Sequence, residues 1–216
     1  MSMWASLKTV LTEALFTVVL VGFFASLGMV PFPSKLVANM TIVLFLQCFG
    51  KTLGWLNAGC HCSPAATLML ATSGKVGVGE CALRFFAQLV VAPFLLLLIL
   101  QSSGISSPAL DLGLPIPSGS PAWIVFMEFV ATLALLILIF KSGSALLADV
   151  GGCMIGGVLC PRWGYAAAMN PATTVFAALL TGEASVSTLA CVGSLGAAIL
   201  LGLVDRQASA AKLKQV

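Results

Sequence analysis

Met169 to Leu180 reads MNPATTVFAALL, and its opening residues mark the start of a helix. Asn170 is a favoured N-cap, and Pro171 suits the first helical position, where no backbone donor is needed. The spacing predicts a helix from Pro171 to about Leu180. That is half the roughly 20 residues needed to cross a bilayer, yet long apolar segments lie on either side. A short capped helix inside a membrane aims the positive end of its dipole at whatever precedes it. Irregular backbone at that depth survives only inside protein or beside a water-filled cavity.

The same design occurs once before. Ser63-Pro64-Ala65 repeats the cap, proline and alanine, and Thr67 matches Thr174, each four residues after its cap. Upstream of each stands a Glu-x-x-x-Thr pair, Glu13 with Thr17 and Glu128 with Thr132. Two halves, each with a glutamate in an apolar segment and a short capped helix, describe an internal repeat.

Composition sets the environment. Of 216 residues 60% are hydrophobic and only 8% charged, against about 25% charged in a soluble domain, and mean hydropathy is +1.11. The chain reads as an integral membrane protein whose first partner is the lipid bilayer. No basic run with interleaved aromatics points to nucleic acid. Val10 to Met29 is too long for a signal-peptide core and contains Glu13, so it is read as a span. The seven cysteines lie mostly in apolar segments and read as free thiols.

Six spans are expected: Val10–Met29, Leu36–Gly50, Glu80–Leu100, Ala122–Phe140, Ser144–Leu159 and Ala184–Val204. Pro161 should end the fifth. Between the second and third, Pro64–Thr72 should dip into the membrane as the first short helix. Repeat one covers about residues 10–100, a Ser/Gly/Pro-rich linker 101–121, repeat two 122–204 and a polar tail 205–216, forming one transmembrane domain. Lys8, Lys51, Lys75, Lys141, Arg206, Lys212 and Lys214 fall on the side of the termini, and Lys35 and Arg162 on the other. That bias puts both termini in the cytoplasm. Three spans per half make the halves inverted, so the short helices enter from opposite faces. Gly50-x-x-x-Gly54 and Gly152-x-x-x-Gly156 suit close helix crossings. The Asn39-Met40-Thr41 glycosylation pattern abuts a span and is read as chance.

Gly59-Cys60-His61-Cys62-Ser63-Pro64-Ala65, Met169-Asn170-Pro171-Ala172 and the two glutamates resemble the aquaporins, the major intrinsic protein family. The resemblance covers roughly Leu11 to Val204. It departs where Ser63 replaces the first motif's asparagine and Thr173 replaces an arginine after the second, as in the unorthodox superaquaporins and small basic intrinsic proteins. The fold it implies is an all-α membrane protein of six transmembrane helices and two re-entrant half-helices in an inverted repeat.

The resemblance implies a homotetramer with one pore per subunit, and roles for the residues. Glu13 and Glu128 would hold backbone donors of the re-entrant loops. Ser63, Pro64, Ala65, Asn170, Pro171 and Ala172 would form the centre of the pore, with His61 fixing the first loop near its mouth. Thr173 would leave the outer constriction smaller-lined and uncharged, with Val158 of the fifth span beside it. His61 between two adjacent cysteines lacks the wider spacing of zinc ligands, so no metal is expected. No catalytic constellation or cofactor motif is present, and the chain is not read as an enzyme. The expected function is passive conduction of water or small uncharged solutes such as glycerol, urea or peroxide. The rivals are an inverted-repeat secondary transporter and a non-conducting structural protein with a closed pore.

Overall fold

In the computed structural model, the described residues are 3–27, 30–33, 35–52, 60–103 and 114–213. They form eight helices: α1 (Met3–Ser26), α2 (Lys35–Thr52), α3 (Pro64–Thr72), α4 (Val78–Ser102), α5 (Pro121–Lys141), α6 (Ala145–Arg162), α7 (Pro171–Thr181) and α8 (Ala184–Leu213). Gly54, Gly59, Lys214 and residues 104–113 of the expected linker lie outside the described residues.

The two short helices fall where the caps placed them. The long ones outrun the expected spans. α1 begins at Met3, seven residues before Val10, and α8 continues through the polar residues after Val204. A helix ladder does not stop where hydropathy falls, because its backbone bonds are internal. Within α8, Asp205 accepts from Lys75 at 2.7 Å and from Lys141, tying together α8, the exit of α3 and the end of α5. Pro161 does not end α6, which runs one residue further to Arg162. α1, α4, α5, α6 and α8 are long and apolar enough to cross a membrane. α2 has 18 residues, but its apolar stretch is only Val37–Cys48.

A π-turn widens both α4 (Ala87–Val91) and α6 (Ile155–Leu159). In each, a proline follows two residues later, Pro93 and Pro161. Proline removes a ladder donor, and its ring pushes on the preceding turn, so the helix opens there.

Side-chain partners give the directions. Glu13 meets Gln88, and a Cβ at Gly22 would touch Leu96, so α1 and α4 run parallel. Glu128 meets Ser194 and Lys141 meets Asp205, so α5 and α8 run parallel. Gln47 meets Asp149 while Asn39 meets Gly157, so α2 and α6 run antiparallel. Equivalent helices of opposite direction are what inverted halves require.

The halves interlock through their short helices. α7 buries Ala172, Phe176 and Ala177 against Val21 and Ala25 of α1 and Leu96 of α4. α3 buries Ala65, Ala66 and Met69 against Leu136 of α5 and Ala198 and Leu201 of α8. Each half thus supplies the core of the other. The outward faces are apolar and exposed, as with Leu7, Leu11 and Leu15 along α1, which is the arrangement lipid permits.

α5 and α8 approach each other closely at Gly193. A Cβ there would lie 2.5 Å from the Val125 carbonyl oxygen and 2.9 Å from Glu128 Cβ. Backbone cannot yield as a side-chain tip does. Gly193→Ala is expected to cost about 1–3 kcal/mol by overpacking. Gly196→Ala, with its nearest atom at 3.5 Å, is expected to cost far less. Thermal unfolding in detergent of both variants checks this, and equal midpoints would contradict it.

Candidate functional site

Two loops lead into the short helices, and each is gripped by a buried carboxylate. Glu13 Oε1 accepts from the His61 N–H at 2.8 Å and Oε2 from the Cys62 N–H at 3.1 Å. Glu128 Oε1 accepts from the Ala168 N–H at 2.6 Å and Oε2 from the Met169 N–H at 3.0 Å. In both loops these are the last two residues before the cap. Both glutamates are fully buried.

Delivering two successive N–H groups to one carboxylate requires an unusual backbone. Cys62 and Met169 both adopt φ of 53°, the left-handed region that non-glycine residues avoid. Such residues cost on the order of 1–3 kcal/mol each. Charge-assisted hydrogen bonds offset that cost. The next residue in each loop is extended, Ser63 at φ −148° and Asn170 at φ −141°, and the short helix follows.

The two caps behave differently. Asn170 Oδ1 accepts from the Ala172 N–H at 3.0 Å, while Nδ2 donates to the Cys62 carbonyl at 3.1 Å. One side chain therefore caps α7 and joins its start to the start of α3. An amide carries two N–H donors, so one hydrogen is left beyond the bond to Cys62. Ser63 was expected to cap α3, but its hydroxyl makes no cap bond. Its arm is an atom shorter than that of asparagine. The Ser63 carbonyl closes the first turn instead, accepting from the Thr67 N–H at 3.0 Å and hydroxyl at 3.1 Å. Thr174 makes the related bond in α7, donating to the Pro171 carbonyl at 2.9 Å.

His61 is half-buried, with Nδ1 3.0 Å from Thr67 Oγ1. Pro64, Ala65, Pro171 and Ala172 are buried in the first turns of the short helices. Thr173 is 3% exposed, and its hydroxyl has no hydrogen-bond partner among the described residues. Val158 is half-buried in the π-turn of α6.

Sequence reasoning missed the groups that hold the carboxylates. In the first half, Gln88 Nε2 donates to Glu13 Oε2 at 2.9 Å and lies 3.1 Å from Thr67 Oγ1. Arg84 donates through Nη1 to Glu13 Oε1, and through Nε at 2.9 Å and Nη2 at 2.6 Å to Glu80 Oε1. In the second half, Ser194 Oγ donates to Glu128 Oε2 at 3.2 Å and accepts from Thr132 at 3.0 Å. Tyr165 anchors that loop by donating to the Ile124 carbonyl at 3.3 Å. The legible signal was Glu80 and Arg84 one turn apart in an apolar helix, a spacing that pairs charges.

No protein-family model matches the chain. It is 26% identical over 213 residues to mouse aquaporin-6, covering 94% of this chain and 72% of that protein. It is 25% identical over 213 residues to rat aquaporin-6, covering 94% and 77%. Among solved structures it is similar to the aquaglyceroporin from Plasmodium falciparum, with a TM-score of 0.57 and 17% identity over 94% of each chain.

The unequal anchoring gives a stability test. Glu128→Leu strands two loop N–H groups at about 1–3 kcal/mol each. Glu13→Leu strands two and also deprives buried Arg84 of a carboxylate partner, which adds to the loss. Glu13→Leu is therefore expected to lower the unfolding midpoint in detergent more than Glu128→Leu. Adding Arg84→Met to Glu13→Leu should recover part of it. A double variant no better than Glu13→Leu would contradict the pairing.

Proposed function

We propose that the chain is a member of the aquaporin, or major intrinsic protein, family and that it passively conducts water and small uncharged solutes. The observation that carries this reading is the bond from Asn170 Nδ2 to the Cys62 carbonyl at 3.1 Å. It brings the N-termini of two half-helices together, so that two positive dipole ends address one point. A neutral solute oxygen is welcomed there and a cation opposed.

The residues divide the work. Asn170 offers its remaining amide hydrogen to the solute, and the uncommitted hydroxyl of Ser63 both donates and accepts. A solute is then oriented firmly by one residue and loosely by the other. His61 lines the path on the α3 side. Thr173 and Val158 stand at the constriction on the α7 side, where an uncharged threonine relaxes the size limit. Two bulky residues near Thr173 in sequence have other surroundings. Phe176 is buried among Val21, Ala25 and Leu96, and Trp163 is 60% exposed at the end of α6. Assembly as a homotetramer with cytoplasmic termini completes the proposal.

Stopped-flow light scattering on proteoliposomes tests it, with water, glycerol, urea and peroxide in turn. Permeability above protein-free vesicles is expected, with each solute only equilibrating. Accumulation against a gradient would identify a transporter, and no flux a closed pore. Thr173→Arg places a large cation at the constriction and is expected to reduce glycerol flux much more than water flux. An equal reduction would remove Thr173 from the selectivity residues.

A further inference from the structure

Where α5 and α8 end together, three elements bring two lysines to one carboxylate. Asp205 of α8 directly follows the exposed apolar pair Leu203 and Val204. Its side chain is only 7% exposed. It accepts from Lys75 Nζ at 2.7 Å through Oδ2 and from Lys141 Nζ through Oδ1. Lys141 is the last residue of α5, directly after Phe140, and Lys75 stands three residues past the end of α3 at Thr72. α5 has 21 residues, a length of about 30 Å, which is the thickness of the hydrocarbon core. With Pro121 at one boundary of that core, Lys141 stands at the other, level with the lipid phosphates.

The backbone fixes this meeting point. The Lys75 N–H donates to the Leu70 carbonyl at 2.9 Å, in a turn that Gly74 makes at φ 81°. One turn before Asp205, Gly202 lies against the end of α3. A Cβ there would stand 1.7 Å from Thr72 Oγ1 and 2.6 Å from the Met69 carbonyl oxygen. Only glycine admits that contact, which seats the exit of α3 on α8 beside Asp205. The carboxylate then holds side by side two ammonium groups that would otherwise repel. Their donors are not used up. The Lys75 and Lys141 side chains remain 54% and 45% exposed. An ammonium carries three donors, and each gives one to Asp205 and none to any other described residue. Arg206, the next residue of α8, is also exposed. Three cations against one carboxylate leave a net charge of +2 at this corner.

We propose that Lys75, Lys141 and Arg206 bind the headgroup of a phospholipid bearing a phosphomonoester, such as phosphatidic acid or a phosphorylated phosphatidylinositol, in the leaflet at this end of the molecule. A phosphomonoester carries a charge of about −1.5 to −2 at neutral pH and three strong acceptor oxygens. That matches the net +2 and the paired ammonium donors. Basic clusters set between helices at the membrane surface take such headgroups. The charge-assisted bonds form with little ordering cost, because Asp205 already holds both lysines in place. The acyl chains lie along exposed Leu203 and Val204, immediately inside the boundary. Phosphatidylcholine fits poorly, since its phosphodiester carries one negative charge and its own cation is repelled by the lysines. The inference uses the membrane-spanning fold and not the conduction reading. Since Lys75 ties down the exit of α3, a bound headgroup also braces that half-helix.

The test is thermal unfolding of the full chain in detergent, titrated with dioctanoyl phosphatidic acid, dioctanoyl phosphatidylcholine or inorganic phosphate. Phosphatidic acid is expected to raise the midpoint saturably, and the other two to do little at the same concentration. Lys75→Gln and Lys141→Gln should each weaken the apparent affinity about fivefold, the contribution of one lysine near an anionic surface. The double glutamine variant should lose the shift, and the double variant Lys75→Arg with Lys141→Arg should keep it. The lysine variants also strip Asp205 of partners and lower the midpoint without lipid. Arg206→Gln leaves those pairs intact, so it carries the test if the lysine variants fail to fold, again with a loss of about fivefold. Arg162→Gln, at the far end of α6, should leave the affinity unchanged. An equal rise with phosphatidylcholine or inorganic phosphate overturns the inference. So does an affinity unchanged in the folded variants of this corner, or lowered as much by Arg162→Gln.

Discussion

Two buried carboxylates, each accepting from two successive backbone N–H groups, are the constraint on which the structure depends. A charge is costly in a membrane interior, and so is an irregular loop with unpaired donors. Each problem is the other's remedy. Glu13 takes the His61 and Cys62 N–H groups, and Glu128 takes those of Ala168 and Met169. That grip holds Cys62 and Met169 in the left-handed region. The following residue is then extended, and the short helix starts at a fixed place and angle. Without the carboxylates the loops would have buried donors and strained backbone, with nothing to offset either.

The halves use the same clamp with different supports. Glu128 is held by neutral donors, the two loop amides and Ser194. Glu13 adds Gln88 and the Arg84 guanidinium, which Glu80 also grips. The first loop is therefore part of a charged network reaching the start of α4, and the second is not. The caps diverge too. Asn170 bonds both its own helix and the opposite loop, whereas Ser63 leaves its hydroxyl uncommitted. The centre of the site is rigid on one side and looser on the other.

The short helices also explain why neither half stands alone. α7 packs in the groove between α1 and α4, and α3 in that between α5 and α8. Small residues such as Ala65, Ala66, Ala172 and Ala177 allow this close nesting, since association in lipid depends on packing more than on hydrophobic transfer. The carboxylate clamp and the exchanged helices act together. One sets where each half-helix begins, and the other sets what it lies against.

The sequence by itself determined the elements whose signals are local. Pro64 and Pro171 marked the starts of the short helices, and the two Glu-x-x-x-Thr pairs marked the repeat. It also marked Glu13 and Glu128 as residues needing partners, because a carboxylate in an apolar run has few ways to exist. What it did not contain was anything dependent on register between distant segments. That Arg84 and Gln88 reach Glu13, that Ser194 reaches Glu128, and that Gln47 meets Asp149 followed only once parallel and antiparallel neighbours were set. The failure of Ser63 to cap is of the same kind, since side-chain reach matters only against a particular backbone. Helix ends were misjudged where hydropathy and hydrogen bonding part company, at Val10, Pro161 and Asp205. Hydropathy measures what lipid tolerates, while a helix continues as long as its own ladder and its neighbours support it.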